Sequence, residues 1–415
     1  MKPDYLSPDS CPTISCRKGL TMRDELAYAL ITPYSLLKSR TGGIIGRLLS
    51  MADLTLIGAR MYAPSDEMVE AYAATIAEQQ DLDTQLKGAF VRYLGDYFRP
   101  QNKLGIANRT MLLLFRGPNA VEVIKEQVVG AITKDPRGDT IRGTYGDFIS
   151  VPGGEILYFE PAVLIGTNAD MVRRHLAILA EHASTDGGVL EHVIDYPDES
   201  AVQTTLVILK PDNFKKKSSR PGNIIDMFSR TGLYIVGAKL LHMSVAQADE
   251  FYGPLRTIFL EKLKSVIVQR LQAALQPAFD FEISATQYAA LADTLAASHA
   301  DFEFNRIVQY MTGCNPSGLS AEEKKQPGKE TSLALLYQGV NAIEKIRTTL
   351  GATNPASASP GTVRSVFAND LMRNAAHASD SPDSALRERQ IIDLLEDERT
   401  CEIKEIVDSY LAERV

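Results

Sequence analysis

AYALITPYSLLKSRTGGIIGRLLSMADLTLIGARMYAPS, residues 27–65, and TLVILKPDNFKKKSSRPGNIIDMFSRTGLYIVGAKLLHMS, residues 205–244, carry one pattern twice. In each copy a short apolar strand ends at a proline-containing turn. A basic loop then leads to glycine and an Ile-Ile pair that opens an amphipathic helix. A second strand follows, and then a polar helix that ends at Tyr72 or Tyr252. The offset is about one domain length, so the chain is a tandem repeat. Later blocks correspond more loosely: MLLLFRGPNAVEVIKEQVVG (111–130) with SLALLYQGVNAIEKIRTTLG (332–351), and TIRGTYGDF (140–148) with TVRSVF (362–367). Strands alternating with helices predict an α/β (α+β) sandwich of ferredoxin-like type, built twice.

The composition sets bounds on what this chain does. At 415 residues it exceeds one ordinary core. Its 45% apolar and 23% charged residues suit a soluble globular protein. A net charge of −8 argues against dedicated nucleic-acid binding. No apolar run reaches the ~20 residues that span a bilayer, so no membrane role is expected. The first residues lack the apolar centre of a signal peptide. Cys11, Cys16, Cys314 and Cys401 are scattered and read as reduced thiols of a cytoplasmic protein, with no metal site among them. The expected division is a polar extension (1–24), a first domain (25–183), a linker (184–202) and a second domain (203–415). Two insertions interrupt the second domain. One, about 256–300, has helical periodicity; the other, 314–331, is polar and reads as an exposed loop.

The most informative short stretch is RNAAHASDS (373–381). A histidine lies among small residues, just before Ser381-Pro382-Asp383, which reads as a helix N-cap with proline in the first turn. With LKPD (209–212), RPGNII (220–225), IVQYMTG (307–313) and GATNPASASPGTVR (351–364), it gives residues 203–396 a resemblance to the nucleoside diphosphate kinase family. The resemblance implies a four-stranded antiparallel sheet covered by helices in each repeat. It implies transfer of the γ-phosphoryl of a nucleoside triphosphate to a nucleoside diphosphate through a phosphohistidine, with Mg2+ carried on the nucleotide.

Residue by residue, His377 matches the nucleophile and Glu388 the carboxylate that orients it. Arg347, Thr353 and Arg364 match phosphate contacts, and Asn374 the ribose contact. Lys210 matches the lysine near the sugar hydroxyl and terminal phosphate, Tyr252 its partner, and Ser379 a serine that shapes the histidine loop. The residue types suit that chemistry. A neutral imidazole is nucleophilic near pH 7, and forked guanidinium donors suit phosphoryl oxygens.

DFEF (301–304) departs from the family pattern. Asp301 stands where an arginine is expected, and Phe302 or Phe304 is left as the aromatic platform for the base. Arg256 or Arg306 is the candidate replacement for the lost charge. The first repeat departs further. Thr32 replaces the lysine, Ile165 is read at the nucleophile's place, and Ala162 at the asparagine's. Arg142 persists, while His175 and His182 lie too far along to restore the motif. That copy is read as non-catalytic, covering a face of the active domain or replacing a subunit contact. Homo-oligomerisation is left open. The competing reading is a nucleotide-binding regulatory or scaffold protein. The run 391–415 is expected to be a helix packed on the domain or on another subunit.

Overall fold

Each repeat folds into its own four-stranded antiparallel sheet. In the first, β1 (Asp24–Ile31), β2 (Thr55–Tyr62), β3 (Thr110–Pro118) and β4 (Val163–Leu164) lie in the order β4-β1-β3-β2. In the second, β5 (Val202–Leu209), β6 (Tyr234–Leu241), β7 (Ser332–Val340) and β8 (Ala376–Ala378) repeat that order as β8-β5-β7-β6. The computed structural model describes residues 24–80, 82–132, 137–151, 155–395 and 401–413. The N-terminal extension, with Cys11 and Cys16, lies outside these apart from Asp24.

The longer helices among the described residues are α1 (Thr41–Met51), α2 (Asp66–Ala77), α3 (Thr84–Tyr97), α4 (Ala169–Glu181), α5 (Arg220–Ser229), α6 (Val245–Tyr252), α7 (Leu255–Leu275), α8 (Ala285–Thr312), α9 (Ala342–Leu350), α10 (Pro382–Ile391) and α11 (Glu402–Ala412). Among the described residues no helix is long and apolar enough to cross a membrane.

The sequence explains the local forms. In β7, SLALLYQGV, successive side chains point to opposite faces. Leu333, Leu335 and Tyr337 join the core shared with the first repeat. Ala334 and Leu336 join the core beneath α6 and α8. The middle of this strand, Leu333 to Tyr337, is therefore apolar on both faces. Gly58 and Gly237 sit at matching register shifts in β2 and β6, where a glycine accommodates the irregularity. From Asn119 to Gly130 the first repeat has one residue more than the second has from Asn341 to Gly351. That extra residue is absorbed in a π-helical turn, Val123–Val129.

The repeats meet through α1 and α5, and along the β2 and β6 edges. The helices cross backbone to backbone. A Cβ at Gly222 would stand 2.1 Å from the Gly42 carbonyl oxygen and 2.5 Å from Gly46 N, which admits no side chain. The stretch after α4 is laced between the sheet edges. Gly188 N donates to Met61 O (3.0 Å) and Leu190 N to Val236 O (2.7 Å).

Three expectations are refined. The helical insertion forms α7 and the first half of α8, an antiparallel hairpin. The polar insertion is not all loop, because Ser320 and Glu323 form a capping box that opens a short helix, Ala321–Lys325. Helix α11, grouped with the second domain, packs on α4 and β2 of the first. Its Ile403 reaches the Gly58 backbone so closely that a Cβ there would meet Cδ1 at 2.4 Å.

Candidate active site

The second repeat's edge strand β8 carries His377 opposite Ile208 of β5. The flanking Ala376 and Ala378 are buried, whereas the imidazole keeps 22% of its surface exposed. Ser381 caps α10 by accepting from Ser384 N, and Pro382 occupies the first turn. That start aims the buried Glu388, nearly two turns on, back at the strand. Its Oε2 lies 2.8 Å from His377 Nε2 and accepts the Ser379 hydroxyl at 2.7 Å. A carboxylate can only accept, so the imidazole proton belongs on Nε2 and Nδ1 presents its lone pair.

Cations are gathered around the backbone that precedes this ring. Arg364 is buried, donating from Nη1 to Gly351 O (2.9 Å) and Thr353 Oγ1 (3.4 Å), and from Nη2 to Ala376 O (3.1 Å). Burial, and then the neighbouring Arg347, lower its pKa to about 10. Arg347 itself is exposed on the last turn of α9. Asn374 donates to Thr353 O (3.3 Å) and accepts from Lys210 Nζ at 2.7 Å. Burial, and then Arg364, push the Lys210 ammonium down to about 8. His377, Glu388 and Ser379 thus form one bonded group and Arg364, Thr353, Asn374 and Lys210 another, and Arg364 links them through the carbonyl of Ala376, the residue before His377.

Tyr252 lies edge-on to the imidazole, ring centroids 6.3 Å apart. Burial, with Glu388 nearby, keeps its phenol protonated. The expected pairing with Lys210 is not formed. The ammonium is held by Asn374 and Met372 O, and the buried Tyr252 hydroxyl has no partner among the described residues.

The DFEF segment corrects a second expectation. Phe304 is 0% exposed in the core with Val308 and Met311, so it cannot stack on a base. Phe302 is 59% exposed on the same helix. Arg256 is engaged by Asp301 (2.6 Å) and Asp249 (3.4 Å) and lies over the Phe304 ring. Arg306 pairs with Glu303 at 2.8 Å.

Three further residues belong to the site's frame. The Tyr310 hydroxyl, at the end of α8, donates to Asp212 Oδ1 at 2.5 Å. Asp212 Oδ2 takes Arg220 at 2.7 Å, and Arg220 also donates to Phe367 O. This clamp fixes the turn after Lys210. Both LKPD and IVQYMTG are visible in the sequence, but their pairing is tertiary.

In the first repeat the register shifts the assignment by one residue. Leu164 faces Leu30 as His377 faces Ile208, so Leu164, not Ile165, takes the nucleophile's place. Ala162 and Ala375 share a left-handed backbone (φ 60° and 71°) and accept from Thr32 N and Lys210 N respectively. Pro161, not Ala162, therefore stands for Asn374. Counting from the N-caps Asn168 and Ser381 puts His175 where Glu388 sits. His175 is fully buried, bonded to the Tyr28 hydroxyl (2.5 Å) and Thr75 (2.5 Å) and stacked on Tyr72. Burial pushes its pKa down to about 3, so it stays neutral. The Thr32 hydroxyl donates to Glu160 (3.1 Å). Arg142 repeats its counterpart's contacts, donating to Gly130 O (3.1 Å) and Val163 O (3.4 Å) as Arg364 does to Gly351 and Ala376.

Comparison with known proteins finds relatives of one family. The family model for nucleoside diphosphate kinase matches residues 203–270 and 322–394, in the second repeat. A nucleoside diphosphate kinase of Methanobrevibacter smithii is 31% identical over 211 residues, 51% of this chain and 97% of that protein. One of Pasteurella multocida is 32% identical over 189 residues, 45% of this chain and 91% of that protein. A solved NDP kinase of Pyrobaculum aerophilum aligns at 27% identity and a TM-score of 0.33, over 48% of this chain and 98% of that one. The chain belongs to the nucleoside diphosphate kinase family, as a tandem member whose matching copy is the second.

Proposed function

We propose that the second repeat is a working nucleoside diphosphate kinase centre and that His377 carries the phosphoryl group. The reading rests above all on the His377 Nε2–Glu388 contact, which leaves Nδ1 as the attacking atom. In the first half-reaction the Nδ1 lone pair forms a bond to the γ-phosphorus. The bond from that phosphorus to the β–γ bridging oxygen breaks, and the diphosphate leaves with the electron pair. In the second, a terminal oxygen of another nucleoside diphosphate attacks the same phosphorus and the N–P bond breaks. The Nε2 proton stays with the imidazole throughout. Glu388 offsets the positive charge that builds on the ring. Arg364, Arg347 and Lys210 neutralise the equatorial oxygens, and Asn374 is placed for the ribose.

Magnesium enters as part of the nucleotide substrate. Among the described residues no group of three or more His, Cys, Asp or Glu is gathered to hold a metal, and the polyphosphate would supply the ligands. The units we propose are 25–183 and 203–415 joined by 184–202, with the first repeat as a non-catalytic partner in place of a second subunit, in the cytoplasm.

A second reading, a nucleotide-binding regulatory or scaffold protein, draws on one observation. Both candidates for the lost positive charge are engaged by carboxylates, Arg256 by Asp249 and Asp301 and Arg306 by Glu303. Incubation with γ-labelled ATP and magnesium separates the two readings. Acid-labile label on wild type, absent from His377→Ala and discharged by any nucleoside diphosphate, supports the kinase. Saturable nucleotide binding without label supports the regulatory protein and refutes the kinase.

A further inference from the structure

The first repeat's counterpart of the catalytic cleft is a cavity of about 160 Å3. Tyr72, Gly130, Arg142 and Leu164 line it, in the places of Tyr252, Gly351, Arg364 and His377. Its chemistry has changed. Ile132 stands for Thr353, Pro161 for Asn374, and Thr32 for Lys210. Leu86 and Phe90 of α3 form an apolar wall across the cleft. What persists is one cation. Arg142 is 8% exposed, braced by two carbonyls, and its Nε has no partner among the described residues. Lys125, the other cation on the lining, pairs with Glu126 at 3.0 Å.

A triphosphate brings about four negative charges and would meet a single buried guanidinium. A purely apolar molecule would leave that guanidinium uncompensated. An apolar body with one anionic head satisfies both the wall and the cation, the usual make-up of a small-molecule pocket. Dry cavities of roughly this size hold a benzene ring. We propose that the first repeat binds a small amphipathic monoanion, an aromatic or short aliphatic carboxylate, with its head on Arg142 and its body against Leu86, Phe90, Ile132 and Leu164. The site is independent of the kinase reading, because none of its residues touches His377.

Phenylacetate is the probe, with 2-phenylethanol as its neutral isostere, each titrated into the full-length protein by calorimetry. Phenylacetate should bind at least ~10-fold more tightly than the alcohol, since a charge-assisted hydrogen bond contributes about 1.5–3 kcal/mol. Arg142→Met should abolish that preference. Ile132→Trp, on a half-buried loop position, should fill the cavity and remove binding of both. His377→Ala should bind phenylacetate unchanged, separating this site from the kinase centre. Equal affinity for both probes, no binding of either at millimolar concentration, or displacement of phenylacetate by inorganic phosphate alone would each overturn the proposal. Should Arg142→Met fail to fold, the isostere comparison and Ile132→Trp decide by themselves.

Discussion

Replacing Glu388 by glutamine tests the centre at its hinge. The carboxylate Oε2 serves two donors, His377 Nε2 at 2.8 Å and the Ser379 hydroxyl at 2.7 Å, from a buried position. Glutamine keeps the shape and one acceptor oxygen but removes the charge. Attack by Nδ1 places positive charge on the ring, so the lost interaction is stronger in the transition state than in the ground state. A hydrogen bond to a charged group contributes about 1.5–3 kcal/mol, which corresponds to roughly 10- to 150-fold in rate. Rapid-quench measurement of label transfer from γ-labelled ATP to His377 reads that step alone. Glu388→Gln should lower the rate by that factor with nucleotide affinity within about twofold of wild type. Ser379→Ala, which removes one neutral donor and leaves the carboxylate charged, should cost less. A Glu388→Gln phosphorylation rate equal to wild type would refute the orienting role, and with it the assignment of Nδ1 as the attacking atom.

Two other outcomes are expected. Because the free Lys210 ammonium has a pKa lowered to about 8, its charge is present below that pH and lost above it. The dissociation constant for a nucleoside triphosphate should therefore rise from about pH 8 upward, by at most ~10-fold per unit, and stay flat to pH 9.5 in Lys210→Arg; a flat wild-type profile would contradict the placement of Lys210 on the phosphates. At the helix crossing, Gly222→Ala should cost about 1–3 kcal/mol in denaturant unfolding, since the added methyl meets the Gly42 backbone, whereas Gly95→Ala on α3, with open space around it, should be neutral or slightly stabilising.

The sequence disclosed what is written locally. The doubled strand–glycine–Ile-Ile pattern predicted both sheets, and Ser381-Pro382 predicted the start of α10. Residues that face one another across the fold were harder. In PAVLIGTNAD no polar residue marks the nucleophile's position and the left-handed turn at Ala162 carries no glycine, so the sequence alone does not separate Leu164 from Ile165. Tyr310 and Asp212 lie far apart in the chain and only the tertiary fold joins them. The burial of Phe304 was legible in principle. With Val308 and Met311 it lies at i, i+4 and i+7, the spacing of a core-facing stripe rather than a base platform.

The docking of α11 on the first repeat has a bearing on biogenesis. Gly58 and its surrounding strand leave the ribosome long before Ile403, so the apolar seat for that side chain stays open until the later half has been made. The earlier half thus waits, incompletely covered, for a segment that brings no chemistry of its own. A nonsense change just after α10 would spare every reactive group yet leave a nascent product prone to self-association.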